Sequence, residues 1–227
     1  MQTKKWLGGE WHPANASNSL WMAPKFFPSY MQGQVHAELK AAAAMGLTAL
    51  RVFLHNMAYD ADPKAFLANI ETFLTAAHSN GLGVGFVFFD DCWNHAGASV
   101  QKQCQERPGL HNACSMGEHG RLLATFRWAA PSHRRLPLLL PASPQDAERT
   151  NTSRFQPYIT DLITAHKSDP RVLWWGMFNE PHRQGFSLEL RHAAYGWAKA
   201  VGPTQPITSC WDKLTEPDNN DAQMQVG

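Results

Sequence analysis

The sequence predicts an α/β protein built on a parallel β-sheet. Strand-like and helix-like segments alternate along the chain, and the strand-like segments are almost continuously apolar. The alternation requires helical crossovers between parallel strands, and apolar strands indicate a sheet that is covered on both faces. A doubly wound open sheet and a (β/α)8 barrel both satisfy these observations. No Gly-rich phosphate loop follows the first predicted strand, which counts modestly against a nucleotide-binding open sheet.

The first half of the chain contains three predicted strands separated by two predicted helices. In chain order these segments cover residues 5–11, 34–46, 47–55, 62–81 and 82–90. The first helix is rich in alanine and ends at Gly46. The second begins at Asp62, which can cap it, and Pro63 suits its first turn. Apolar residues at helical spacing predict the buried face of this second helix: Phe66, Ile70, Phe73, Leu74 and Ala77.

The second half adds a helix, a strand, a helix and a strand, over residues 152–167, 171–180, 187–202 and 205–212. The first of these helices has one apolar side, formed by Phe155, Tyr158, Ile159, Leu162 and Ile163. The strand that follows it ends in Asn179 and Glu180. About 60 residues separate the third strand from this helix, well beyond a usual crossover loop.

Within that long segment, residues 121–144 have no clean period and are biased toward Arg, Leu and Pro. One explanation is a long active-site loop, which is common on barrels. The other is sequence that does not belong to the protein, such as a retained intron or a local frame error. A continuous reading frame in the mature message would remove the second explanation.

The composition argues against several classes of partner. Lys and Arg total 20 and Asp and Glu total 19, so nothing indicates nucleic acid or an anionic membrane surface. No apolar run approaches the roughly 18 residues of a membrane helix. Residues 1–11 are basic but lack the apolar middle of a signal peptide. The compartment and the oligomeric state stay open, and an extracellular location is compatible with an incomplete amino terminus.

The four cysteines, Cys92, Cys104, Cys114 and Cys210, are too few and too scattered for a disulfide scaffold. Cys104 and Cys114 are either paired within one loop or free thiols. The sequence contains neither a CxxC nor an HExxH pattern. We therefore expect no metal and no other cofactor.

Polar and aromatic residues lie at the ends of the predicted strands. Ligands of parallel α/β folds bind at the carboxyl ends of the strands, so these residues are expected to converge on one rim. In strand order they are Trp11, His12 and Asn15; Arg51, His55 and Asn56; Asp90, Asp91, Cys92, Trp93 and Asn94; Asn179 and Glu180; and Trp211 and Asp212.

Two charged residues of this rim carry specific expectations. Arg51 shares a strand face with Phe53 and His55, because side chains alternate with period two. An arginine in a strand buried on both faces needs a carboxylate or a polar network, so Arg51 predicts an acid nearby. An ordinary buried ion pair is the alternative to a functional role for Arg51. Glu180 shares a face with Phe178, and aromatic shielding is expected to raise its pKa, as a general acid requires. Capping of the next helix is the alternative for Glu180.

All of these rim residues except Trp11 lie in stretches that together resemble family 5-like members of clan A glycoside hydrolases, the retaining (β/α)8 barrels of cellulase and mannanase type. The stretches are HPANASNSLWM (12–22), LTALRVFLHNM (47–57), FVFFDDCWN (86–94), RPGLHN (107–112), RVLWWGMFNEP (171–181) and PITSCWD (206–212). The resemblance covers about 170 residues. It implies one partial TIM-barrel domain over 1–227, with about five βα units and an atypical loop or insertion at about 95–149.

The resemblance also implies roles. Glu180 would be the acid/base that protonates the leaving sugar oxygen, and Asn179 would hydrogen-bond the sugar 2-hydroxyl. Arg51 would hold the second carboxylate, the nucleophile, in its ionised form. For Trp11 and Trp21, packing is expected ahead of sugar stacking. Residues expected to bind an oligo- or polysaccharide substrate are His55, Asp91, Trp93 and Trp211, with a structural hydrogen bond as an equal alternative for the histidine and the aspartate.

The chain departs from the family pattern at the second carboxylate. In this clan the nucleophile is a glutamate that ends strand seven, and no apolar strand follows residue 212, where Glu216 is the one glutamate. The sequence therefore predicts a retaining glycosidase of β-linked glycans whose nucleophile is missing from this chain. A fragment of a longer enzyme is the expected explanation. The alternative is a catalytically inactive carbohydrate-binding protein or fragmentary pseudoenzyme.

A further hypothesis is a metal-dependent barrel hydrolase that uses His55, Asp90 or Asp91, and His95. Their spacing matches no defensible ligand set. The sequence does not name the sugar, because mannan, cellulose, xylan and smaller β-glycosides share this machinery and the loops after the strands select among them.

Overall fold

The computed structural model describes residues 5–14, 16, 19–90, 151–179 and 186–209, the side chains of 186–188 excepted. Within these residues, five strands form one parallel sheet in the order β1-β2-β3-β4-β5. The strands are Gly8–Glu10, Ala49–Phe53, Gly83–Asp90, Val172–Asn179 and Ile207–Thr208.

The strand order decides between the two architectures. Each strand pairs with the next along the chain, whereas a doubly wound sheet reverses its order at a switch point. Sequential parallel pairing with helical crossovers is the arrangement of a (β/α)8 barrel. The structure is therefore an incomplete barrel of this class, as the resemblance implies.

Six α-helices and two short 3-10 helices are described around the sheet. The α-helices are α1 (Phe27–Gln32), α2 (Val35–Ala44), α3 (Asn56–Ala61), α4 (Pro63–Ser79), α5 (Gln156–His166) and α6 (Phe186–Val201), and the 3-10 helices are Ser19–Met22 and Thr152–Phe155. The four predicted helices are confirmed as α2, α4, α5 with its preceding 3-10 turn, and α6. Three short helices were not predicted, because segments of four to six residues are too short for a helical period to show: α1, α3 and the 3-10 helix Ser19–Met22.

The predicted capping and buried face of α4 are confirmed. Asp62 Oδ1 accepts a hydrogen bond from the Ala65 backbone N–H at 3.0 Å. All five residues predicted to form the buried face of α4 are buried. The five apolar residues of the predicted helix 152–167, which corresponds to the second 3-10 helix and α5, are buried as well. After α4, Gly81 adopts a positive φ of 75°, a conformation that glycine reaches without a Cβ penalty.

One face of the sheet packs against the helices through aromatic side chains. Trp175 of β4 stacks on Phe86 and Phe88 of β3, with ring centroids 6.0 and 5.9 Å apart. Tyr158 of α5 meets the same layer edge-on and donates its hydroxyl hydrogen to the Phe88 carbonyl at 3.3 Å. Gln205 joins this layer from the loop before β5, accepting from Trp175 Nε1 at 3.2 Å.

The tryptophans near the amino terminus pack as predicted. Trp21 is fully buried and lies against Phe27 and Phe73, and Trp11 stacks on Phe73 with ring centroids 5.3 Å apart. Both therefore belong to the packing of the first 3-10 helix, α1 and α4.

The other predicted boundaries differ in length. The first strand is shorter than residues 5–11, and the described part of the fifth strand covers Ile207–Thr208 alone. Residues 91–150, which include the atypical segment 95–149, lie outside the described residues. Among the described helices, none has both the length and the apolarity to cross a membrane.

On the sheet face opposite the helices, a large side chain occupies the space that Gly85 leaves. Gly85 pairs with Trp174 across β3 and β4, next to a register irregularity at Val84 and Gly85. A Cβ on Gly85 would overlap the indole ring of Trp174. Trp174 in turn packs against Trp6, with ring centroids 5.8 Å apart.

Replacing Gly85 by alanine is therefore expected to lower the free energy of unfolding by about 1–3 kcal/mol, because the Trp174 ring must move. Chemical denaturation measures the change. Gly196→Ala is the matched control: nothing lies within 4 Å of a Cβ at this exposed position of α6, and we expect it to stabilise by about 0.5–1 kcal/mol. Trp174→Ala should lower the free energy of unfolding by less in the Gly85→Ala variant than in the wild type, because the overlapping ring is then gone. Equal losses in the two backgrounds would refute the overlap.

Candidate functional site

Four polar side chains from four neighbouring strands form one connected network toward the carboxyl edge of the sheet. Glu10 ends β1, Asp90 ends β3 and Asn179 ends β4, while Arg51 projects from the middle of β2. The strand register pairs Glu10 with Arg51 and Asp90 with Asn179, and a side-chain hydrogen bond between Arg51 and Asn179 joins the two pairs. We call these four residues the rim network.

Three hydrogen bonds connect the rim network. Arg51 Nη1 donates to Glu10 Oε2 at 3.0 Å, and Arg51 Nη2 donates to Asn179 Oδ1 at 2.7 Å. Asn179 Nδ2 donates to Asp90 Oδ1 at 3.0 Å. The acid predicted beside Arg51 is thus confirmed, and it is Glu10. Binding of a nucleophilic carboxylate by Arg51 stays a prediction.

The network runs from solvent into the protein. The Glu10 side chain is 55% exposed and that of Arg51 is 25% exposed, whereas Asp90 is 9% exposed. The Arg51 guanidinium lies over the Phe53 ring, 4.6 Å from its centroid, which fits the predicted shared strand face. An ion pair as exposed as Glu10 and Arg51 contributes only about 0–1 kcal/mol to stability. The same guanidinium donates to Glu10 through Nη1 and to Asn179 through Nη2.

His55 lies just beyond the end of β2 and is fully buried. Its Nδ1 accepts a hydrogen bond from the Met57 backbone N–H at 3.1 Å, which caps α3. The ring hydrogen of the neutral imidazole is therefore on Nε2, which has no hydrogen-bond partner among the described residues. Burial lowers the pKa of His55 to about 3, so the ring is neutral at physiological pH. The structural hydrogen bond is confirmed, and contact with a sugar stays a prediction.

The remaining predicted site residues lie outside the described residues: Glu180, Asp91, Trp93 and Trp211. The same holds for His95 of the metal hypothesis and for all four cysteines. Of the predicted catalytic residues, the structure therefore brings Arg51 and Asn179 into direct contact, and the roles of the others stay predictions.

Sequence reasoning missed Glu10 and left Asp90 without a role in sugar binding. Glu10 lies within a strand weakened by two glycines, and no sequence period shows that it faces Arg51. That relation depends on the register between β1 and β2, which pairs two residues 41 positions apart. The signal that was available for Asp90 was its place at the end of a buried strand.

A second charged cluster lies at the opposite, amino end of β4. Arg171 Nη2 donates to Asp169 Oδ2 and to Glu71 Oε2, both at 2.7 Å, and His166 Nδ1 lies 3.2 Å from Asp169 Oδ2. The hydrogen bonds from Arg171 hold the pKa of Asp169 well below its usual range and lower that of Glu71. Glu71, His166 and Asp169 are spaced as metal ligands could be. Arg171 already binds both carboxylates, so we interpret the cluster as an ion-pair network that joins α4 to β4.

The backbone is similar to those of two β-mannanases. The β-mannanase of the blue mussel Mytilus edulis is 10% identical and superimposes with a TM-score of 0.50, over 90% of this chain and 58% of that one. The β-1,4-D-mannanase of Cryptopygus antarcticus is 12% identical with a TM-score of 0.53, over 92% of this chain and 57% of that one. No protein-family model matches the sequence, and no curated protein matches it.

The likeness concerns the fold. It confirms the barrel architecture that the resemblance to family 5-like clan A glycoside hydrolases implies. The chain spans somewhat more than half of the length of each of these two mannanases.

Proposed function

We propose that the chain carries the acid/base half of a retaining glycoside hydrolase site that acts on β-linked glycans. The observation that carries the proposal is the rim network, which holds Asn179 at the carboxyl edge of a barrel sheet. Asn179 immediately precedes Glu180 in the sequence. Barrel enzymes take their catalytic groups from the carboxyl ends of several strands, as this network does.

In the proposed reaction Glu180 protonates the glycosidic oxygen while a second carboxylate, about 5 Å away, attacks the anomeric carbon. Glu180 then takes a proton from the water that hydrolyses the glycosyl-enzyme. Asn179 binds the sugar 2-hydroxyl, a contact that strengthens in the transition state. Arg51 keeps the attacking carboxylate ionised. None of the described residues is assigned as that nucleophile.

The proposed substrates are β-linked saccharides bound along the rim, with Asp91, Trp93 and Trp211 as further proposed contacts. Both structural neighbours are named as β-mannanases. β-1,4-Linked manno-oligosaccharides are therefore the first substrates to test, followed by cello- and xylo-oligosaccharides.

A second candidate function is carbohydrate binding without turnover. One observation favours it: within the described residues, the acid that Arg51 contacts is Glu10 of β1. A chain of this kind would bind the same saccharides and leave them intact.

In a full-length protein that also supplies the nucleophile, replacing Glu180 by glutamine is expected to lower kcat/KM for mannotetraose by about 10²–10⁴-fold, the usual contribution of a general acid. The loss should be smaller for a 2,4-dinitrophenyl β-mannoside, because its leaving group departs without protonation. Glu189→Gln, at an exposed position of α6, is the matched control and should change neither rate. Reducing-sugar release and dinitrophenol absorbance give the two rates.

Three outcomes separate the candidates. An unchanged rate for Glu180→Gln on mannotetraose would refute the assignment of Glu180. Binding of mannotetraose by calorimetry without turnover by the wild type would favour the binding function. Neither binding nor turnover with any of the three oligosaccharide series would refute the proposal.

A further inference from the structure

The Asn179 carboxamide lies between two groups of opposite hydrogen-bonding character. On one side is the Arg51 guanidinium, which can only donate, at 2.7 Å from Oδ1. On the other side is the Asp90 carboxylate, an acceptor when ionised, at 3.0 Å from Nδ2. If the amide were flipped, Nδ2 would face a donor and Oδ1 would face an acceptor. The two neighbours therefore select one orientation.

Both neighbours of the Asn179 amide, Asp90 and Arg51, are held in place by further contacts. Asp90 is buried at the end of β3, and its backbone pairs in register with Asn179. Arg51 is held by Glu10 through Nη1 and by contact with the Phe53 ring. Acceptor and donor groups thus alternate from Glu10 through Arg51 and Asn179 to Asp90.

We propose that Asp90 and Glu10 are positioning residues for sugar recognition. Asp90 acts directly on the Asn179 carboxamide, and Glu10 acts through Arg51, so that the amide meets the sugar 2-hydroxyl in one preset orientation. The inference rests on the proposed function, because it assigns Asn179 to the sugar 2-hydroxyl. Preorganised polar groups favour a bound state because they need no reorientation when the ligand arrives.

The first test needs no sugar. The full chain is labelled with ¹⁵N-asparagine, and the Asn179 side-chain NH₂ pair is identified by its absence in Asn179→Ser. Asp90→Ala should shift this pair and speed its hydrogen exchange, whereas Asp90→Asn, which keeps an acceptor oxygen, should restore part of the effect. Asp62→Asn, a change of the same charge at the α4 cap, is the control and should leave the pair unchanged. An Asn179 pair that is unaffected by Asp90→Ala would overturn the proposal.

The second test measures recognition of the 2-hydroxyl. Dissociation constants for 4-nitrophenyl β-mannoside and its 2-deoxy analogue are measured by calorimetry on the full chain carrying Glu180→Gln, which suppresses turnover. We expect the parent glycoside to bind about tenfold more tightly, a preference worth one hydrogen bond. Asp90→Ala should reduce the ratio of the two dissociation constants to about twofold or less, because it weakens binding of 4-nitrophenyl β-mannoside and leaves binding of the 2-deoxy analogue unchanged. Glu10→Ala should reduce the ratio by a smaller amount.

The outcomes distinguish this inference from the function on which it rests. Equal weakening of both glycosides by Asp90→Ala, or an undiminished ratio, would overturn the positioning role while sugar binding stands. If the chain with an unmodified rim network binds neither glycoside and none of the three oligosaccharide series, the proposed function fails, and the NMR measurement still decides whether Asp90 positions Asn179.

Discussion

Replacing Trp175 by alanine is expected to lower the free energy of unfolding by about 3–5 kcal/mol, the usual cost of removing a large aromatic side chain from a core. Trp175 is fully buried and stacks on Phe86 and Phe88. Its Nε1 donates to Gln205, whose own Nε2 donates to the carbonyls of His166 and Asp169 at 2.9 Å. The substitution therefore removes ring contacts and leaves a buried amide oxygen without its donor.

Urea denaturation followed by circular dichroism measures this loss. Trp6→Ala is the matched control, because Trp6 is 47% exposed and contacts the same strand through Trp174; we expect it to cost about 1 kcal/mol. If Trp175→Ala does not fold, Trp175→Phe tests the hydrogen bond and should cost about 1–3 kcal/mol. A loss for Trp175→Ala no larger than the loss for Trp6→Ala would contradict the structure.

The free energy of unfolding is expected to fall as the pH falls from 6.5 to 3, by up to about 1.4 kcal/mol per pH unit, because of His55. Burial lowers the pKa of His55 from 6.5 to about 3 in the native state. Between these values the unfolded chain binds a proton that the native chain does not. The unfolded state is therefore favoured progressively on acidification, and the effect is absent above about pH 7.5.

The window from pH 6.5 to 5 separates the titration of His55 from that of Asp169 and Glu71. Asp169 and Glu71 have lowered native pKa values, so the stability that they contribute is lost only at lower pH, starting around their ordinary values. His55→Asn retains a capping side chain without a titrating group, and its stability should vary less with pH in this window. His36→Asn, at an exposed position of α2, is the control. A His55→Asn slope equal to that of the wild type would show that His55 does not stay neutral.

Two residues of the rim network, Arg51 and Asn179, were predictable because they lie in or at the end of apolar strands. Arg51 and Asn179 were predicted to lie at one edge, and the structure brings them within 2.7 Å of each other. Glu10 was not predictable, because its role depends on contact with Arg51 across two strands. Glu180, Asp91, Trp93 and Trp211 lie outside the described residues, so their roles rest on the sequence.

The sequence by itself determined the elements whose forces act locally. The cap at Asp62 and the apolar spacing of α4 and α5 depend on residues within a few turns, and each is found as predicted. Only the tertiary structure decided the strand order, the contact of Glu10 with Arg51, the orientation of the Asn179 amide and the burial of His55. These features depend on the register between strands and on packing between distant segments, and no periodicity along a single chain encodes them.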